Sequence, residues 1–132
     1  MSVSGLSHVG IAVPELEAAI ALFADRLGLV PGPILTNAEQ GVRLVQFDLG
    51  NARIELLSPT GPGPIAAFLE RNPRGGLHHL GLFTDDIETG LAAVEATGVR
   101  RLSGPSQNVF GKQFAFLHPA DLLGVLVELE NR

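Results

Sequence analysis

Four side chains stand out because their types bind metal ions and their positions pair along the chain. His8 recurs as His79 after 71 positions, and Glu55 recurs as Glu128 after 73. Their surroundings recur with them. Leu6-Ser7-His8-Val9-Gly10-Ile11-Ala12-Val13 resembles Leu77-His78-His79-Leu80-Gly81-Leu82-Phe83-Thr84, and Arg53-Ile54-Glu55-Leu56 resembles Leu126-Val127-Glu128-Leu129. Nearly equal offsets over such a distance describe an internal repeat rather than a coincidence. A pseudo-two-fold between the halves would bring His8, Glu55, His79 and Glu128 onto one concave surface. Two imidazoles and two carboxylates form a borderline-to-hard donor set suited to a divalent cobalt, manganese, nickel, iron or zinc ion. An octahedral ion so held keeps two positions for a substrate that presents two oxygens. Taken singly, a glutamate between aliphatics reads as the solvated side of a half-buried strand; the repeat is what turns the pairs into a candidate site.

The elements that must position these residues follow from periodicity. Ser7 to Val13 alternates as a strand, with Val9, Ile11 and Val13 on a helix-packed face and His8, Gly10 and Ala12 on an open one. Pro14 suits the first turn of a helix whose apolar face is Leu16, Ile20, Phe23 and Leu27, ending at Gly28. Val42–Leu49 and Ala52–Leu57 read as strands joined by Gly50-Asn51. In the second half Leu77–Thr84 is a strand that turns His79 and Gly81 away from the packed face and leaves His78 as the structural histidine. Ile87, Leu91 and Val94 face inward from a helix stopping near Gly98. Gln113–Leu117 and Val125–Leu129 are the later strands, with Glu128 pointing away from Val127 and Leu129. The modules are about 6–57 and 77–129 in a single domain of residues 1–132. The linker 58–76 holds Ser58-Pro59-Thr60-Gly61-Pro62-Gly63-Pro64 and a short helix, Ile65–Arg71. Neither half buries enough surface alone, so the two sheets are expected to merge into one curved sheet with helices outside.

Composition narrows the classes. The 132 residues are 45% apolar and 17% charged, with a formal net charge of −5 and nine scattered basic side chains. No stripe of cations could neutralise a row of phosphates, so nucleic acid is not an expected partner. The absence of cysteine removes disulfides, thiolate metal sites and cysteine nucleophiles. Apolar runs are far shorter than a membrane span and the N-terminus lacks a signal-peptide pattern, so a soluble cytoplasmic protein is expected.

The same stretches carry a family resemblance spanning Leu6 to Leu129. The double module with His-x-Gly-Ile-Ala-Val, Ile-Glu-Leu-Leu, His-His-Leu-Gly and Gly-Val-Leu-Val-Glu-Leu resembles the vicinal oxygen chelate (glyoxalase/bleomycin resistance/dioxygenase) superfamily, and within it the methylmalonyl-CoA epimerases. Glu39-Gln40-Gly41-Val42, Glu55-Leu56-Leu57-Ser58-Pro59-Thr60 with Ile65-Ala66-Ala67-Phe68-Leu69, and Phe116-Leu117-His118-Pro119 are similar to stretches of that family. The resemblance implies an α+β fold of two tandem βαβββ modules in one mostly antiparallel eight-stranded sheet. It also implies metal ligands at His8, Glu55, His79 and Glu128, and catalytic acid/base roles for Glu39 and Glu128. The chain departs from the family at Ala120, where a lysine is usual. Lys112 is the only lysine left to meet an anionic acyl-CoA.

The activity implied is epimerisation of the 2R and 2S forms of methylmalonyl-CoA, by α-proton removal and return through a metal-stabilised enolate. A carboxylate is a weak base for a carbon acid, each pKa unit of mismatch costing about 1.4 kcal/mol. The carbonyl must therefore be made acidic by the metal. Two carboxylates on opposite faces of a planar enolate are the minimal equipment, one taking and one giving. The expected partner is a small-molecule acyl-CoA, with the protein a homodimer. The alternatives are another superfamily enzyme such as glyoxalase I (lactoylglutathione lyase), whose closing motif differs from His118-Pro119-Ala120-Asp121, or a non-catalytic protein that binds a small ligand.

Overall fold

Alternation along β1 (Gly5–Ala12) sorts its side chains into two environments. In the computed structural model, which describes residues 2–132, Ile11 and the following Val13 pack with Leu16, Val45, Phe47 and Leu56. Ala12 faces the other way and is fully buried against Val42, Leu44, Leu57 and Ile65. The side of Ala12 expected to lie open is thus covered, because Ile65, Phe68 and Leu69 of the linker helix pack there.

The chain divides into two compact units, one of Val9–His78 and one combining the chain up to His8 with His79–Arg132. The divisions fall inside β1 and β5 (Gly76–Thr84), so packing units and sequence repeats partition the chain differently.

In the Val9–His78 unit the order along the sheet is β2 (Leu35–Asn37), β3 (Val42–Asp48), β4 (Arg53–Pro59), β1. The β2–β3 and β3–β4 pairs are antiparallel. Helix α1 (Leu16–Leu27) lays Ala19, Ile20 and Phe23 on the Val45–Phe47–Leu56 cluster, with Phe23 stacked on Phe47 at 6.0 Å between ring centroids. It ends where Gly28 takes the left-handed conformation (φ 68°) and donates its N–H to the Ala24 carbonyl. Two details differ from the expectation. Pro14 precedes the helix, with Glu15 at the N-cap, and Leu27 is exposed because the final turn runs past the edge of the cluster. The β3–β4 hairpin closes through the Leu49 N–H on the Ala52 carbonyl at 2.9 Å. Helix α2 (Pro64–Arg71) follows, with proline in its first turn.

In the other unit the order is β1, β5, β8 (Val127–Asn131), β7 (Gln113–Leu117), β6 (Arg101–Gln107). The β5–β8 pair is parallel, while β7–β8 and β6–β7 are antiparallel. Helix α3 (Ile87–Ala96) places Ile87, Leu91 and Val94 on a core of Ala115, Leu117, Val127 and Leu129. Its first turn is held by the Asp86 carboxylate, which accepts from the Thr89 N–H, and by Asn131 Oδ1, which accepts from the Ile87 N–H at 2.7 Å. Strand β8 therefore starts and ends two residues later than alternation suggested. The element order is strand, helix and three strands, twice over, with α2 between: the two-module α+β plan expected.

Candidate metal centre

Strand alternation builds the site in the unit that contains both imidazoles. In β8, Val127 and Leu129 enter the apolar core, which leaves Glu128 and Glu130 on the opposite face. In β7, Ala115 and Leu117 do the same and leave Phe114 and Phe116 beside the glutamates, in the register Phe114–Glu130 and Phe116–Glu128. In β5, Leu82 joins the core while His79 and Gly81 face the other way, Gly81 lying opposite Glu128.

On this face the Nε2 atoms of His8 and His79 stand 3.0 Å apart, and Glu128 Oε2 lies 3.3 Å from His8 Nε2. The two rings meet edge to face at 84°, and His79 meets the edge or face of Phe116 at 90°. His8 is 2% exposed and His79 7%. Space for His8 depends on Gly81: a Cβ there would sit 2.8 Å from His8 Nε2 and closer still to the neighbouring ring atoms. Behind His8, Nδ1 lies 2.9 Å from Ser7 Oγ and 3.5 Å from Glu130 Oε2. Ser7 donates its hydroxyl proton to Glu130 Oε2 at 3.0 Å.

The donor set fits a divalent ion. Bonds of about 2.1 Å at right angles separate neighbouring ligand atoms by about 3.0 Å, the spacing of nitrogen and oxygen donors found here. His8, Glu128 and Glu130 also each offer an atom within 4.8 Å of the others. Buried imidazoles and carboxylates at such range need either shared protons or a shared cation.

The remaining sequence candidates lie in the Val9–His78 unit. Glu55, on β4, is 8% exposed and points away from the α1-packed cluster, as alternation predicts. It accepts from Gln46 Nε2 at 2.7 Å across the β3–β4 register, and Arg53 reaches Gln46 Oε1 at 3.4 Å. His78 is half-buried with its ring 5.1 Å from that of Phe68, and burial holds its pKa below the usual histidine value. Glu39 is exposed in the turn between β2 and β3, where the Gly41 N–H bonds the Ala38 carbonyl.

Thus the structure brings His8, His79 and Glu128 together and adds two residues that the sequence reading passed over, Ser7 and Glu130. Gln46, beside Glu55, was missed as well. The signal for Glu130 was available, since it repeats the parity of Glu128 along one strand. Ser7 carried no such signal.

The sequence model of the glyoxalase/bleomycin resistance protein/dioxygenase superfamily matches residues 7–116. A Cereibacter sphaeroides protein named ethylmalonyl-CoA/methylmalonyl-CoA epimerase is 44% identical to the chain, over 96% of each. The chain belongs to the methylmalonyl-CoA epimerase family of this superfamily. The epimerase-family structure from Mycobacterium tuberculosis matches it with a TM-score of 0.91 at 32% identity, covering 98% of this chain and 88% of that one. A methylmalonyl-CoA epimerase solved with methylmalonyl-CoA and ammonium bound gives 0.90 at 31% identity, covering 98% and 94%. The glyoxalase-like fold that the family resemblance implied is therefore the fold of the epimerase family.

Proposed function

We propose that the chain is a metal-dependent epimerase interconverting the 2R and 2S forms of methylmalonyl-CoA. The observation that carries this reading is the 3.0 Å approach of His8 and His79, with Glu128 beside them, in a chain so similar to named epimerases. His8, Glu55, His79 and Glu128 would hold a divalent cobalt, manganese, nickel, iron or zinc ion. When bound, that ion supplies Lewis acidity at the thioester carbonyl and makes the neighbouring C–H acidic.

Glu128 and Glu39 do the proton work. Glu128, 12% exposed between Val127 and Leu129, stands where water is largely excluded and takes or returns the proton on one face of the substrate. Glu39 serves the other face from its exposed turn, where an acyl-CoA seated over the turn would shield it from water. Support for Glu39 is its place in the Glu39-Gln40-Gly41-Val42 stretch similar to the family's. The same reading makes the protein a cytoplasmic homodimer acting on a small-molecule thioester. Among the described residues no helix is long and apolar enough to cross a membrane.

Metal analysis followed by C2 proton exchange in deuterated buffer, on a small panel of acyl-CoAs, tests the proposal. Metal-loaded protein should exchange the C2 proton of both methylmalonyl-CoA enantiomers. The Glu39→Gln variant should lose exchange from one enantiomer while keeping its metal. Exchange with none of the panel overturns the epimerase reading, and full activity in Glu39→Gln overturns that residue's role.

A further inference from the structure

Beside the candidate ligands lies a buried side-chain relay to which the reaction itself assigns no part. Ser7 is 1% exposed, His8 2% and Glu130 5%. Ser7 Oγ lies 3.0 Å from Glu130 Oε2 and 2.9 Å from His8 Nδ1, and Nδ1 is itself 3.5 Å from the same carboxylate oxygen. A hydroxyl has one proton to donate, and here it goes to the carboxylate. What Ser7 then offers Nδ1 is a lone pair. The ring nitrogen facing it must carry the hydrogen.

We infer that Ser7 and Glu130 are positioning residues that lock His8 in its Nδ1–H tautomer and so present its Nε2 lone pair to a cation shared with His79 and Glu128. An Nδ1–H bonded to Ser7, with a carboxylate behind, also makes Nε2 a stronger donor, as outer partners of ligating histidines do. Burial and strand placement support the positioning role whichever nitrogen carries the hydrogen. Both anchors come from strands flanking the site, Ser7 from β1 and Glu130 from β8, and both are buried, so neither the ring's plane nor its depth can drift. The Nε2 atoms of His8 and His79 lie 3.0 Å apart, so with Nδ1–H on His8 the hydrogen between the two rings would have to come from His79. The relay thus selects which partner of that pair presents the lone pair. The inference rests on the metal-binding reading only where affinity is concerned.

Two measurements on the full chain test it. First, long-range ¹H–¹⁵N correlation spectra of chelator-stripped protein report which His8 nitrogen is protonated, with no metal and no turnover involved. The wild type should show Nδ1–H, and Ser7→Ala and Glu130→Gln should shift the ring toward the other tautomer. Second, titration of the stripped proteins with Co²⁺ should give dissociation constants about ten- to a hundredfold weaker in both variants. Ser7→Thr, which keeps the hydroxyl, should restore binding. Glu130→Gln is nearly isosteric, and its thermal melt checks that the fold survives. Protonation of wild-type His8 at Nε2 overturns the relay, and so does Co²⁺ binding within about twofold of wild type in both variants. Wild-type protein that binds no Co²⁺ overturns the metal reading instead, while the tautomer spectrum still decides the relay.

Discussion

His8 and His79 are 71 residues apart in the chain, yet their Nε2 atoms are 3.0 Å apart. Two nitrogen lone pairs cannot face one another at that distance without a proton or a cation between them. Because both rings are almost fully buried, water does not compete for them.

Removing one imidazole should therefore empty the site. His79→Ala is expected to lose bound divalent metal on dialysis while keeping a cooperative thermal melt, because the ring lies on the face opposite the Ile87–Leu91–Leu129 core. Elemental analysis of the dialysed variant checks this, and a full equivalent of retained metal would place the ion elsewhere.

Gly81→Ala should damage the same site without touching a ligand. The added Cβ meets the His8 ring well inside normal contact distance. Overpacking of this kind costs about 1–3 kcal/mol. The expected result is a lower denaturant midpoint together with weaker Co²⁺ binding. A variant with wild-type affinity would mean that the His8 ring can shift without consequence.

A third substitution probes the other glutamate. Gln46→Leu removes an amide that donates to the buried Glu55 carboxylate at 2.7 Å. Hydrogen bonds to charged groups contribute roughly 1.5–3 kcal/mol, so urea denaturation should show a loss of that order. An unchanged midpoint would mean that other partners of Glu55 carry its charge alone.

Acid pH reports on the loop after β7. The Arg100 side chain, donating to Asp121 from Nε and Nη2, together with the Arg100 N–H, holds the Asp121 carboxyl down at about 2. A depressed folded pKa adds stability above the unfolded value near 4, and that contribution disappears as pH falls from about 4 through 2. Arg100 is exposed, so the effect on stability should be small. The Asp121 side-chain carbon in an NMR titration should move at about pH 2, and Arg100→Ala should raise that midpoint.

The repeat made His8, His79 and their strands legible, because alternation and offset are local, countable features. Strands β2 and β6 were not read from the residues, and both lie at sheet edges. Three residues of β2 and a polar, register-shifted β6 show no clean alternation. The β8 reading stopped at Leu129 because Glu130 and Asn131 look like solvated ends. Each is instead held by a distant partner, the Ser7 hydroxyl or the Ile87 N–H. Such partners lie 123 and 44 residues away, beyond any window of periodicity. Glu39 shows the reverse, since its sequence context resembled a catalytic loop while the fold leaves it exposed.

That Ser7 answers to Glu130 across 123 residues bears on how the molecule comes into being. Contacts of such long range form late, since loop closure must precede them. A growing polypeptide emerging N-terminus first holds His8 in a strand whose partners do not yet exist. The cluster is assembled only once Glu128 and Glu130 have been made, so a product truncated before them carries the Val9–His78 elements without the His8–Glu128 and Ser7–Glu130 contacts.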